Sequence, residues 1–210
     1  GHCQILRVDG VGQYRRLATT IDDAAGEAFD KTAKILGLGY PGGPRVEALA
    51  KTGDPKAVPL PRPLLGSAEP HFSFAGLKSA VLRAAQSGAH RPEDIAAGFQ
   101  QAVVDCLVDR LERALAASDG TGGKPKTLVV AGGVAANGAI RSALEALAAR
   151  HDMGFVAPPL WLCTDNAAMI GWAGAERFAL GLTDPLDMPA RPRWPLDPEA
   201  EAARGAGVKA

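Results

Sequence analysis

Apolar and polar positions alternate along Gln4-Ile-Leu-Arg-Val-Asp9, the pattern of a strand with one buried face. Asp9-Gly-Val-Gly12 supplies turn residues, so Tyr14 to Thr19 is expected to return as an antiparallel partner. The period then lengthens. Ala25, Ala28, Phe29, Thr32, Ile35 and Leu36 share one face of a helix that Asp22 is placed to cap and Gly37 to stop. Tyr40-Pro-Gly-Gly-Pro44 predicts a tight turn leading into a short helix through Val46, Leu49 and Ala50.

Five prolines between residues 53 and 71 rule out regular structure there and predict a rigid surface excursion. Phe72-Ser-Phe74 reads as a brief strand, and a helix follows from Gly76 to about Gln86. The next helix opens at Pro92-Glu-Asp, whose acidic first turn suits the helix dipole. Its apolar residues, from Ile95 and Phe99 to Leu111 and Leu115, keep helical spacing, so it is long and amphipathic. Asp119 to Lys126 is a loop before a buried-looking strand at Thr127-Leu-Val-Val-Ala131. A helix to about Arg150, a strand at Gly154 to Ala157, a Pro158-Pro159 loop and a helix from Asn166 to Leu180 complete the pattern.

A hairpin followed by alternating helices and strands predicts an α/β fold with a mixed sheet and flanking helices. Residues 1–182 are expected to form one nucleotide-binding lobe, and the Pro/Ala-rich stretch 183–210 a poorly ordered tail. The opening without a methionine, on a strand already begun, suggests a piece of a longer chain. A Rossmann domain is excluded, because Gly-x-Gly-x-x-Gly is absent.

Composition narrows this further. With 23 basic and 23 acidic residues the net charge is zero, so any nucleic-acid contact needs a local patch. Arg15-Arg16 and Lys124 to Lys126 are expected to be solvated loops rather than such a patch. The 3 cysteines lack Cys-x-x-Cys spacing, which argues against a disulfide framework or structural zinc and favours a reducing cytoplasm. No apolar run of about 18 residues predicts a membrane span, and no leader is readable.

Candidate chemistry clusters at glycines and helix starts. Gly132 and Gly133 lay bare backbone between a strand and a helix, and Asn137 can offer its amide to that helix or to a ligand. Asp165, in Cys163-Thr-Asp-Asn166, lies where open α/β folds place ligands. It can hold a metal, or one of Thr164, Asp165 and Asn166 can simply cap the last helix. Asp30 falls mid-helix beside the apolar face, where the plain alternative is an i,i+4 pair with Lys34. Gly42 and Gly43 can be mere turn formers, and Glu47 a solvated helix residue. Cys163 has no histidine near it in sequence, which argues against a nucleophile. No His-Glu-x-x-His and no Gly-x-x-x-x-Gly-Lys-Ser/Thr loop is present.

Ile21-Asp-Asp-Ala-Ala-Gly-Glu-Ala-Phe-Asp-Lys-Thr-Ala-Lys34, Tyr40-Pro-Gly-Gly-Pro44, Phe72-Ser-Phe-Ala-Gly-Leu-Lys78, Ala131-Gly-Gly-Val-Ala-Ala-Asn137 and Cys163-Thr-Asp-Asn166 together resemble the tRNA adenosine threonylcarbamoyltransferase family, historically labelled O-sialoglycoprotein endopeptidase. The resemblance runs from Gly1 to about Gly181. It implies an actin-like/sugar-kinase/Hsp70 ATPase fold. It also implies transfer of threonylcarbamoyl from its adenylate to the exocyclic amine of the adenosine beside the tRNA anticodon, releasing AMP.

Carried over by position, Gly1, Asp30, Gly43, Glu47 and Asn137 match substrate-binding residues, and Asp165 matches a metal-ligand aspartate. The family's other two ligands, in His-x-Glu-Gly-His, would lie upstream of Gly1. The resemblance therefore implies one divalent ion, iron or zinc, with one of three protein ligands here. At least about a third of a full-length member is expected to be missing, so this piece alone should be inactive. Implied partners are the threonylcarbamoyl adenylate, tRNA, a paralogous actin-like subunit and an accessory ATPase, in the cytoplasm and away from membranes. Cys3, Ala75, Ala135 and Gly39 depart from residues common in relatives. Two other readings are an actin-like ATPase or small-molecule kinase, and a non-catalytic paralogue of the transferase.

Overall fold

The computed structural model describes residues 2–118, 123–164, 166–190 and 194–201. Strands β1 (Gln4–Gly10) and β2 (Gln13–Thr19) pair antiparallel around a turn in which Gly12 adopts φ +76°, a conformation glycine supplies without strain. Helices α1 (Ala25–Ile35), α2 (Gly42–Ala50), α3 (Ala75–Ser87) and α4 (Pro92–Ser118) follow. Then come β3 (Thr127–Val129), a 3-10 turn (Gly133–Ala136), α5 (Gly138–Arg150), β4 (Gly154–Val156), a second 3-10 turn (Leu160–Leu162) and α6 (Ala167–Ala179).

The core is helical and centred on α4. Phe99 meets the edge of Phe29 on α1, with ring centroids 5.0 Å apart and planes at 85°. Val46, Leu77, Val81, Ile95, Ile140 and Leu147 bring α2, α3 and α5 into the same cluster, each almost fully buried. The apolar stripes that predicted these helices are the faces they bury.

Four expectations need correction. The single mixed sheet does not form among the described residues. β1 and β2 make one antiparallel pair and β3 and β4 a separate parallel pair, because the helices packed around α4 fill the space between them. The β3 strand is also less buried than its residues suggest. Leu128 and Val130 pack inward, whereas Val129 on β3 and Val156 on β4 are exposed. Residues 53–71 are no detached excursion: Val58 and Leu60 enter the core, and the Arg62 guanidinium pairs with Asp105 on α4 at 2.9 Å. A Cβ on Gly53 would stand 2.0 Å from the Glu93 carbonyl oxygen, so this segment lies hard against the start of α4.

Asp22, lastly, does not cap α1. Its Oδ1 accepts from the Phe74 and Ala75 amides at 2.8 and 3.3 Å, and Ser73 Oγ donates to its Oδ2, so it holds the start of α3. Phe72, expected in a strand, makes a single parallel bridge to Thr20. Among the described residues, regular structure ends with α6. Beyond it, Asp197 accepts the Arg16 amide of β2 at 2.8 Å, so part of the Pro/Ala-rich tail returns to the hairpin.

Candidate functional site

Asp30 lies at the exposed side of α1, one residue past the buried Phe29. Its carboxylate caps α2 instead of pairing with Lys34: Oδ1 accepts the Gly42 amide at 2.9 Å. The close approach makes Gly42 obligatory, since a Cβ there would lie 2.6 Å from the Asp30 Cα and 2.8 Å from the Ala33 Cβ. Gly43 differs. A Cβ on it would meet nothing within 4 Å, and its φ is not in the left-handed region, so neither packing nor backbone strain demands a glycine. The Tyr40–Pro41 peptide in this turn is cis.

Glu47, one turn further along α2, reaches to α5. Its Oε1 accepts the Gly138 amide at 2.9 Å. Asn137 is 7% exposed and caps α5, with Oδ1 accepting the Ile140 amide at 3.0 Å. Its Nδ2 donates to Gln100 Oε1 on α4 at 2.8 Å. Both ends of the Asn137 amide are thus engaged, and the capping role is the one realised. Gln100 carries no motif, and no sequence signal pairs it with a residue 37 positions away.

The Glu47–Gly138 bond ties α2 to the start of α5, and a glycine turn precedes each of these helices. One leads into α2. The other contains Gly132, at φ +91°, and Gly133, and at both a Cβ would meet nothing within 4 Å. The 3-10 turn packs on α1, where Val134 Cγ2 lies 3.5 Å from the position of a Gly26 Cβ. Beside the Glu47–Gly138 bond opens a cleft of about 460 Å³, lined by Pro44, Glu47, Lys51, Gly138, Arg141 and Leu160 and by none of the four turn glycines. Arg141 frames its rim, donating to the Ala135 carbonyl at 3.1 Å and the Pro158 carbonyl at 3.0 Å. The first amides of α2 and α5 are taken by the Asp30 and Glu47 carboxylates.

Of the expected site residues only Glu47 lines the cleft; Asp30 and Gly43 stand at the start of α2 and Asn137 at the start of α5, while Gly1 and Asp165 lie outside the described residues. The cap of α6 is Asn166, whose Oδ1 accepts the Met169 amide at 3.0 Å. Cys163 is buried, its Sγ 3.6 Å from the Pro159 carbonyl oxygen, in no position to attack a substrate. Among the described residues no three His, Cys, Asp or Glu side chains converge as metal ligands, so these residues do not fit a metal site by themselves.

Below the site, Asp23 joins α1 to α3. Burial opposes its ionisation, but Lys31 at 2.7 Å and Lys78 at 3.0 Å outweigh that and hold its carboxyl below the ordinary range. Cys106, by contrast, has its thiol pushed up to about 12, chiefly by burial, and is chemically inert.

The fold is that of an α/β protein in which the Asp30 and Glu47 carboxylates hold the starts of α2 and α5 beside an open cleft. Comparison with known proteins specifies this further: the chain belongs to the tRNA N6-adenosine threonylcarbamoyltransferase family, whose family model matches residues 1–172. It is 78% identical over 210 residues to the tRNA N6-adenosine threonylcarbamoyltransferase of Sphingopyxis alaskensis, covering 100% of this chain and 60% of that protein. The proteins of the same name from Erythrobacter litoralis and Novosphingobium aromaticivorans are 75% and 72% identical, again over 100% of this chain and 60% and 59% of theirs. The chain thus spans about three fifths of the length of these curated relatives.

Proposed function

We propose that this chain is the larger part of an acyltransferase of actin-like fold that modifies tRNA. It passes a threonylcarbamoyl group from its adenylate to the exocyclic amine of the adenosine beside the anticodon. A bond forms between that nitrogen and the carbamoyl carbon, the carbon–oxygen bond to the phosphate breaks, the amine loses a proton, and AMP leaves. The observation that carries this reading is the Glu47–Gly138 bond that ties α2 to the start of α5 beside an open cleft, within a chain of the transferase family.

The chemistry asks for position more than for a nucleophile. An exocyclic amine is a weak attacker, so holding it against the acyl carbon supplies much of the acceleration. Glu47 borders the cleft where the nucleotide sugar would lie, and its bond to Gly138 sets the distance between α2 and the start of α5. The buried Cys163 fits a direct transfer with no covalent enzyme intermediate. A divalent ion, iron or zinc, enters this proposal only through Asp165 and parts of the full-length protein outside this chain, and so do a paralogous subunit, an accessory ATPase and a cytoplasmic setting.

The test is a transfer assay with threonylcarbamoyl adenylate and tRNA in a full-length version. Glu47→Ala is expected to lower transfer by about 10-fold or more, the scale of one lost charge-assisted hydrogen bond. Unchanged transfer, or turnover of ATP with a sugar acceptor instead, would reject the assignment.

A further inference from the structure

A second cavity, of about 240 Å³, lies between the hairpin and the C-terminal half of α4. Arg7 and Arg15 come from the hairpin, Arg110 and Arg113 from α4, and Leu17 and Ala117 add apolar wall. Arg15, expected both in the returning strand and in a solvated cluster, lies within β2, directly opposite Arg7 in the pairing register. Like charges placed so repel, and the hairpin tolerates the pair at a cost.

The local charges do not cancel. Asp9 pairs with Arg7 at 2.9 Å, and Asp109 pairs with both Arg110 and Arg113. Burial works against ionised Asp109, but its two arginines prevail and keep it an anion well below neutral pH. Among the described residues, Arg15 takes part in none of these ion pairs. Arg110 is 2% exposed and locked by the Leu64 carbonyl at 2.7 Å and the Ser67 carbonyl at 3.2 Å, so it is a fixed floor. Arg113 is half exposed on the next turn and Arg15 is exposed on the facing strand.

We propose that this cavity is a binding site for a phosphate group, held by Arg15 and Arg113 above the fixed Arg110. Guanidinium forks match phosphate oxygens in pairs, and apolar walls strengthen the attraction by keeping water out. The volume suits one or two phosphate groups, being smaller than the roughly 300 Å³ at which whole-ligand pockets begin. Arg110 lies ten residues beyond Gln100 on α4, about 15 Å along the axis from the contact with Asn137. Resting on the tRNA reading above, a phosphate of the RNA backbone is one source of this chemistry. A free phosphate-bearing small molecule is the other source of the same chemistry.

The experiment uses the full-length protein and its Arg15→Gln/Arg113→Gln variant, neither residue belonging to the cleft. Thermal melting is followed in inorganic phosphate and in chloride at matched ionic strength, and binding to a tRNA is followed against salt. Phosphate is expected to raise the parent's melting temperature above its chloride value and to lose that effect in the variant. The slope of log affinity against log salt should fall by about 1 to 2, one counterion per lost phosphate contact. Loss of the phosphate effect with an unchanged RNA slope still supports the site and assigns it a free anion. Identical behaviour of parent and variant in both measurements overturns it. Should the parent bind phosphate here yet transfer nothing to tRNA, the transferase reading fails and the site stands. If the double variant does not fold, Arg15→Gln, at an exposed strand position, carries the same comparison.

Discussion

Individual residues at the site do two jobs, and the structure separates them. Asn137 satisfies a helix start and a glutamine at once, so Asn137→Ala should lower stability by about 1–2 kcal/mol, the loss of a cap and one buried hydrogen bond. Asn137→Asp keeps the cap oxygen and loses the donor to Gln100. Denaturant unfolding that finds the alanine variant as stable as the parent would contradict the capping role. Asp23 makes a prediction about pH. Its folded carboxyl ionises more readily than the roughly 3.9 of an unfolded chain, so its contribution is complete above that value and disappears as pH falls through the depressed one. Asp23→Asn should therefore lower the melting temperature at pH 7 and flatten its decline below pH 4. Asp109, held ionised in the same way, keeps the remaining slope from vanishing.

Among elements, legibility followed the range of the interaction. Periodicity and local stops located α3 to within a residue, because Gly88 at φ +64° ends it where the apolar pattern ends. The Asp22 cap was misassigned because its partners lie 51 to 53 positions on, and sequence proximity favoured α1. Prolines marked residues 53–71 as irregular but hid their packing, since Val58 and Leu60 between them bury like core residues. At the site, the glycine turns were visible and their functions were not: nothing in Gly42-Gly43 tells which glycine a neighbouring backbone requires. α6 forms where the sequence predicts a helix, yet its apolar Ile170, Trp172 and Phe178 are 67%, 72% and 74% exposed. An unsupported helix of this length is marginal in water. Hydrogen exchange should accordingly find residues 167–179 less protected than the core of α4 by on the order of 100-fold or more. Equal protection would mean that α6 is held by contacts this structure lacks.

The molecule as a whole is a helical core carrying two small sheets, and it corresponds to 60% of the length of its relatives. Among the described residues no helix is long and apolar enough to cross a membrane, so the exposed face of α6 is not explained as a span. A full-length protein offers further chain to cover it. The central claim, that a ligand lies against the Gly42–Gly43 turn beside the Glu47 cleft, is tested most directly at Gly43, where the folded chain has room for a methyl group and only a ligand would object. In a full-length version, Gly43→Ala should melt at or slightly above the parent temperature, because it stiffens the unfolded chain by about 0.4–1 kcal/mol. Transfer of threonylcarbamoyl to tRNA should fall by about 10-fold or more as the added carbon displaces the adenylate. An alanine variant that is equally stable and transfers at the parental rate would show that no ligand approaches this turn, and the cleft would lose its assigned role.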